Sequence, residues 1–464
     1  MPLPLLLVLI LPLLTASLCF LVPRTKPAVD RAALGGATAT LLAAMWVTKQ
    51  VVPTGIMTAP PYLAVDALGA LVILLTATIG AASTWFSIRL LQHELAKGII
   101  GFRRIRQHHA LLQLFLAALF VAAATNSLML MWVAIEATTL ATALLISFYH
   151  RPAATEAAWK YLVINSVGLL ISLLGIMLFL TNARDPAVIK IAFVLILVGY
   201  GTKAGIVPLH TWKPDAYSLV PAPIGAVMST ALLNVALMAI VRFAALTDSI
   251  LAEPFTAPIL LGFGVLSAVT AAALLVAQRN YKRLLAYSSI EHTGLMLCGI
   301  ALGHAGTFIA LLHMFYHTLA KSALFLASGN ILIAYSSTKI SAVRGLLHQH
   351  PLLAAVVIAA SGALLGLPPF GLFVTELSLL LYTIQLHPAL GTILVLALAA
   401  AFAGFARHLS AMLFSPPPSS RPPQLHFTIT DLAAPAVLLA LALLASWYLP
   451  APLQSLLATA SHLR

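Results

Sequence analysis

Of 464 residues, 61% are hydrophobic and only 8% are charged, roughly a third of the charge share of a soluble domain. That balance excludes a single soluble globular domain, because one core cannot hide so many apolar side chains, and it requires a membrane. The net charge of +13 argues for no nucleic-acid partner, since the basic residues sit in short loops between apolar runs, where membrane topology puts them.

In chain order, apolar runs of about 20 residues, the length a bilayer-spanning helix needs, predict fourteen spans at 3–22, 33–52, 64–90, 109–125, 127–149, 157–181, 189–209, 220–246, 256–277, 285–303, 306–335, 352–385, 389–414 and 432–449. Residues 1–22 lack a basic start and an obvious cleavage site, so the expectation is a retained first helix. The basic stretch 93–109 is expected at the cytoplasmic interface and the Pro/Ser-rich stretch 415–421 as a connector. The expected organisation is an all-α membrane protein. Residues 1–108 hold three helices and the interfacial segment, 109–246 a first five-helix repeat, 256–414 a second of inverted topology, and 415–464 the connector and last helix.

Basic residues test the count. Eighteen of the 25 Lys and Arg residues fall beside loops that follow odd-numbered spans, five fall on the opposite side, and Lys203 and Lys321 lie within spans. The positive-inside rule then places both termini away from the cytoplasm of a bacterial or archaeal inner membrane. Cys19 and Cys298 lie singly in apolar runs and indicate neither a disulfide framework nor a metal site. With no phosphate-binding glycine loop and no dinucleotide fingerprint, energy must come from an ion gradient or a partner. No cofactor and no metal is expected on this chain.

Against that apolar background a few charges stand out, because an ionisable group at the bilayer centre costs roughly 2.5–3.5 kcal/mol on insertion scales. Glu136 lies in WVAIEATTL, inside the fifth span, and Lys203 in GYGTKAG, inside the seventh. His313, His317 and Lys321 recur at i, i+4 and i+8 in HMFYHTLAK and so share one face of the eleventh span. Glu376 lies in FVTEL of the twelfth. A carboxylate, an amine and imidazoles can each hold or release a proton when their neighbours tune them, so a series can relay protons along the midplane. The competing reading is static: a Glu136–Lys203 ion pair joining two helices and histidines acting as polar glue.

Two spans also read as broken, at Gly205-Ile-Val-Pro208 and at Gly366-Leu-Pro-Pro369, since proline removes a backbone bond. Paired interruptions in corresponding places suggest an inverted-repeat transporter with its site at the breaks. His210, Lys213 and Asp215 beside the first break form either a proton entry or a cap, and Glu291 and His292 early in the tenth span share that ambiguity.

The motifs WVAIEATTL, EAAWKYL, VGYGTKAGIVPLHTWKPDAYSLVPAPIGAVMS, QRNYKRLLAYSSIEHTG, HTLAKSALFLASGNI and GLPPFGLFVTE resemble the proton-translocating antiporter-like subunits of complex I, Mrp-type Na⁺/H⁺ antiporters and group-4 membrane hydrogenases. The wording of VAIEATTL, GYGTKAG, LLNVA and AYSSIEHTG most resembles the F-subunit branch of hydrogenase-4 and formate-hydrogenlyase-like complexes. The resemblance implies a Glu136–Lys203 pair that opens and closes with its proton load, a central relay at His313, His317 and Lys321, and a terminal group at Glu376. It also implies partner subunits that hold the redox centres. Where several relatives carry a lysine in the eighth span, this chain has Asn234, which hydrogen-bonds but carries no proton at neutral pH. No long lateral helix is expected after the fourteenth span. The rival functions are a Mrp-type Na⁺/H⁺ exchanger, the proton channel of a bicarbonate-accumulating complex, and a non-pumping membrane anchor.

Overall fold

The computed structural model describes residues 1–21, 25–181, 185–416 and 427–463. The connector expected at 415–421 lies outside them from residue 417 on, as do Arg24, Arg184, Arg421 and Arg464. Each of the fourteen predicted spans is a helix. They are α1 (Leu3–Leu21), α2 (Lys26–Thr54), α3 (Ala67–Ala96), α4 (Phe102–Ala123), α5 (Leu128–Ile146), α6 (Pro152–Thr181) and the broken α7 (Pro186–Ala204) with α8 (Trp212–Leu219). A continuous span of α9 (Ala222–Val227), a π-helical turn at Met228–Leu232 and α10 (Leu233–Leu251) follows, then α11 (Thr256–Val276), α12 (Tyr281–Ala301) and α13 (Gly303–Tyr335). After the short α14 (Leu346–Gln349) come the broken pair α15 (Pro351–Leu364) and α16 (Gly371–Leu386), then α17 (Pro388–Phe414), α18 (Ile429–Trp447) and a final α19 (Ala451–Ser461). Eleven helices among the described residues are long and apolar enough to cross a membrane, counting α9 to α10 as one. The predicted spans at α2 and α12 fall outside that count, and α15 and α16 are shorter apolar helices.

Two expectations change. The basic stretch 93–109 is mostly helical: α3 runs on to Ala96 and α4 starts at Phe102, so position 108/109 falls inside α4. His108 and His109 of α4 are fully buried. The second change is a hairpin ahead of α3, β1 (Ile56–Ala59) paired antiparallel with β2 (Leu63–Asp66), Ile56 opposite Asp66. Asp66 then caps α3 by accepting from the Gly69 amide at 2.7 Å and pairs with Arg242 of α10 at 2.9 Å. Arg242 also donates to the Thr125 carbonyl after α4.

Residues Met1–Ala204, Leu219–Ala257 and Pro450–Arg464 form one compact unit, Gly205–Ser218 and Pro258–Leu449 a second. Within each, small residues let helix backbones close in, the packing a bilayer favours because lipid offers no hydrophobic drive between helices. A Cβ added at Gly199 of α7 would sit 2.5 Å from the Gly168 carbonyl of α6, and one at Gly294 of α12 would sit 2.5 Å from the Gly264 carbonyl of α11. α6 shows the resulting pattern: Tyr161, Asn165, Gly168 and Ser172 face inward, and Trp159, Val163, Val167, Leu170 and Leu174 face outward. Its polar groups thus lie inside along with Leu169, Ile176 and Phe179, while large apolar groups cover the outside, as a helix facing lipid requires.

Candidate functional site

In the first unit the fifth, sixth and seventh spans meet around Lys203. α7 ends at Ala204, and the chain turns through Gly205 in the left-handed region (φ 73°), which leaves Lys203 in the last turn with its side chain buried. Its ammonium donates to the Thr139 hydroxyl on α5 and to the Tyr161 hydroxyl on α6, both at 2.8 Å. Thr139 sits one turn beyond Glu136 and donates to its Oε2 at 3.2 Å, and Ser166 of α6 donates to Oε1 at 2.7 Å. Glu136 is half-buried. The two charges are thus joined through one hydroxyl, where the sequence suggested a direct pair. Thr139, one helical turn from the carboxylate, is the hydroxyl that bonds to both charged groups, so it takes the bridging place.

The second unit assembles a larger cluster from α12, α13 and α16. His313, His317 and Lys321 are fully buried along one face of α13 as their spacing predicts, with the rings of His313 and His317 nearly parallel and 6.5 Å apart. His292 of α12 enters beside them, its ring centroid 5.2 Å from that of His313 and 4.9 Å from that of His317. His292 Nδ1 lies 3.0 Å from His313 Nε2 and 3.8 Å from Glu376 Oε1. His313 Nδ1 is 3.0 Å from the Thr375 hydroxyl on α16. Neither ring nitrogen of His317 has a hydrogen-bond partner among the described residues. Lys321 donates to the Leu285 carbonyl at 3.2 Å and to the Ser288 hydroxyl. Glu291, buried next to His292, lines a cavity of about 200 Å³ together with Ser288, His292 and Glu376.

Both interruptions, at Gly205 and at Gly366, fall in the second unit, and each packs against a charged side chain. Gly366, left-handed at φ 61°, packs against the Glu376 carboxylate: a Cβ there would sit 2.2 Å from Oε2. A Cβ at Gly205 would sit 2.6 Å from Cδ of Lys213, which is buried beneath that break. Only glycine has both the space and the backbone freedom at these two points. Asp215 falls in the first turn of α8, where a carboxylate suits the helix dipole, and forms an ion pair with Arg283 of α12. His210 is half-buried with its ring 6.4 Å from that of Tyr287. Asn234 is fully buried on α10, in the first turn after the π-helical turn, a feature that often marks functional sites.

Sequence reasoning picked out the charged members and passed over Thr139, Tyr161, Ser166, Ser288 and Thr375. Hydroxyls are common in membrane helices and mostly bond their own backbone. The usable signal was phase: Thr139 lies three residues from Glu136 and therefore on its face. His292 was placed among secondary candidates and occupies the centre of the second cluster.

A multi-span helical membrane protein with ionisable groups buried in both units and two glycine-broken helices belongs to the class of ion-transporting membrane subunits. Residues 125–402 match the family described as NADH:quinone oxidoreductase/Mrp antiporter, TM. A Hydrogenase-4 component F homolog of Methylacidiphilum infernorum is 37% identical over 383 residues, covering 77% of this chain and 80% of that one. NADH-quinone oxidoreductase subunit N of Desulforudis audaxviator is 30% identical over 330 residues, covering 67% and 64%. Among solved structures, a chain of respiratory complex I from Thermus thermophilus aligns at TM-score 0.78 and 26% identity, covering 97% of this chain and 99% of that one. A chain of an archaeal membrane-bound sulfane sulfur reductase aligns at TM-score 0.87 and 24% identity, covering 99% and 97%. One of the Mrp complex from a Dietzia species aligns at 0.86 and 20%, covering 99% and 97%; these last two likenesses show the fold. The chain belongs to the NADH:quinone oxidoreductase/Mrp antiporter membrane family. It is an antiporter-like membrane subunit of the kind found in complex I, Mrp and group-4 hydrogenase-type assemblies, and the three solved neighbours above are chains of multi-subunit membrane complexes.

Proposed function

We propose that this chain carries protons as a subunit of a membrane redox complex of the hydrogenase-4 type, with its redox centres on other subunits and both termini on the non-cytoplasmic face of a prokaryotic inner membrane. The observation that carries the reading is the Lys203–Thr139–Glu136 bridge. A hydroxyl that accepts from an ammonium and donates to a carboxylate can hand a proton across by exchanging its own. Such a bridge also leaves the two charges apart, so a change of charge nearby can draw them together or separate them, and that electrostatic coupling is strong in a low-dielectric interior.

In the second unit, His292, His313, His317 and Glu376 supply consecutive proton carriers, and Lys321 a buried cation beside them. His317 needs water to satisfy its ring nitrogens if it takes part, which a hydrated relay provides. Asn234 acts as a hydrogen-bonding residue and not as a carrier. The same geometry would serve Na⁺/H⁺ exchange or feed protons to a bicarbonate-forming partner. The 37% identity to a hydrogenase-4 component F homolog favours the redox complex.

Gentle detergent purification of the native complex, followed by identification of the co-purifying chains, tests the assignment. Nickel–iron hydrogenase and iron–sulfur subunits are the expected companions. A zinc protein alone, or Mrp-type small subunits with Na⁺-dependent proton exchange in vesicles, would overturn the redox assignment.

A further inference from the structure

His292 of α12, His313 of α13 and Glu376 of α16 each offer one ligand-type atom, and the three atoms lie within 4.8 Å of one another. In a tetrahedral zinc site with bonds of roughly 2.0–2.2 Å, neighbouring ligand atoms stand roughly 3.3–3.6 Å apart. The two measured edges here, 3.0 Å between His292 Nδ1 and His313 Nε2 and 3.8 Å between His292 Nδ1 and Glu376 Oε1, bracket that spacing. Side-chain rotations of a few tenths of an ångström would equalise them. We propose that His292, His313 and Glu376 form a binding site for a divalent transition-metal ion of the zinc type.

Three further features fit a metal site. The Thr375 hydroxyl lies 3.0 Å from the Leu372 carbonyl as well as from His313 Nδ1. When it donates to that carbonyl it accepts from His313 Nδ1–H, which leaves Nε2 as a lone pair aimed into the triad. This is the second-shell arrangement that fixes the tautomer of metal-binding histidines. The cavity of about 200 Å³ reaches both His292 and Glu376, which gives a water room to fill the fourth position, as an open zinc site requires. Glu291 lines the same cavity and supplies a second carboxylate to balance the ion's charge. Two imidazoles with one carboxylate suit zinc and its neighbours, whereas magnesium and calcium favour all-oxygen sets.

An ion held there would occupy the nitrogens that the proposed relay uses, so zinc is expected to arrest proton transport. That consequence rests on the proton-relay reading; the binding itself does not. The test uses the full chain purified with its native partners in detergent, stripped with a chelator and titrated with zinc chloride. One chain-specific zinc equivalent is expected, and absorption spectroscopy at the zinc edge should show two imidazole nitrogens and a carboxylate oxygen on the wild-type chain. Glu376→Gln and His292→Gln should each weaken that binding at least about ten-fold, while His317→Gln, beside the triad but outside it, should leave it unchanged. Absence of stoichiometric zinc, a zinc edge without imidazole ligands, or equal binding in both triad variants would overturn the site. The wild-type spectrum decides the matter even if a variant fails to fold. Zinc bound at the triad with undiminished proton flux would support the site and count against the relay.

Discussion

Lys203 reaches Glu136 through the hydroxyl of Thr139, whereas His292 and His313 meet nitrogen to nitrogen at 3.0 Å with Glu376 alongside. The first cluster is a separated ion pair on three helices, with a half-buried carboxylate. The second is a compact set of imidazoles, buried throughout, with glutamates on one flank. A separated pair responds to charge at a distance, because its two members can move relative to each other. Packed imidazoles instead pass a proton by tautomer exchange and ring rotation, since each nitrogen serves as donor or acceptor. On the proposed function, the first cluster would sense charge and the second would conduct protons.

The sharpest break of that contrast is Glu136→Gln, which keeps the side chain's size and removes its charge. Redox-driven acidification of inverted vesicles by the native complex should fall on the order of 10²-fold, while the complex still assembles and elutes normally. Unchanged pumping would return the pair to a static tie between helices. His313→Gln should lower proton flux by a similar order while leaving the response of the first cluster intact. Separating these defects requires pre-steady-state charge movement alongside steady-state flux.

A smaller effect is expected at the bridge. Thr139→Val removes the shared hydroxyl but keeps the shape, leaving Lys203 with the Tyr161 hydroxyl. Flux should drop roughly ten-fold, the scale of one lost hydrogen bond to a charged group, and Thr139→Ser should restore it. A Val variant with wild-type flux would show that the route bypasses the hydroxyl. The breaks contribute stability and aim. Gly366→Ala forces a Cβ into a left-handed backbone at a cost of roughly 1–2 kcal/mol, and it pushes the Glu376 carboxylate from its place. A lower melting temperature with reduced flux is expected. At Gly205 the clash is with the flexible Lys213 stem, so the loss in Gly205→Ala should be the smaller of the two. The mildest change is Asp66→Asn, which weakens the partly exposed Arg242 pair and should shift stability by about 1 kcal/mol or less, with flux unchanged.

The amino-acid sequence alone determined the membrane class, the places of the helices and the positions of the charges, because apolar run length and the cost of an ion in hydrocarbon are local properties. The stripe at His313, His317 and Lys321 was legible for the same reason: helical phase is written in spacing. The spacing of Gly205 and Pro208, and of Gly366 and Pro369, marked both interruptions. Which groups meet was decided by the tertiary structure. Thr139 stands between Lys203 and Glu136 only because α5 and α7 pack with that hydroxyl between them, and His292 reaches His313 and Glu376 only because α12, α13 and α16 converge. The buried histidines of α4 and the hairpin before α3 escaped the reading as well, since short polar stretches look alike in sequence whether they lie at an interface or fold inward. Distances of 3 to 4 Å between residues on different helices are set by backbone approach, which depends on how small residues of one helix meet those of another.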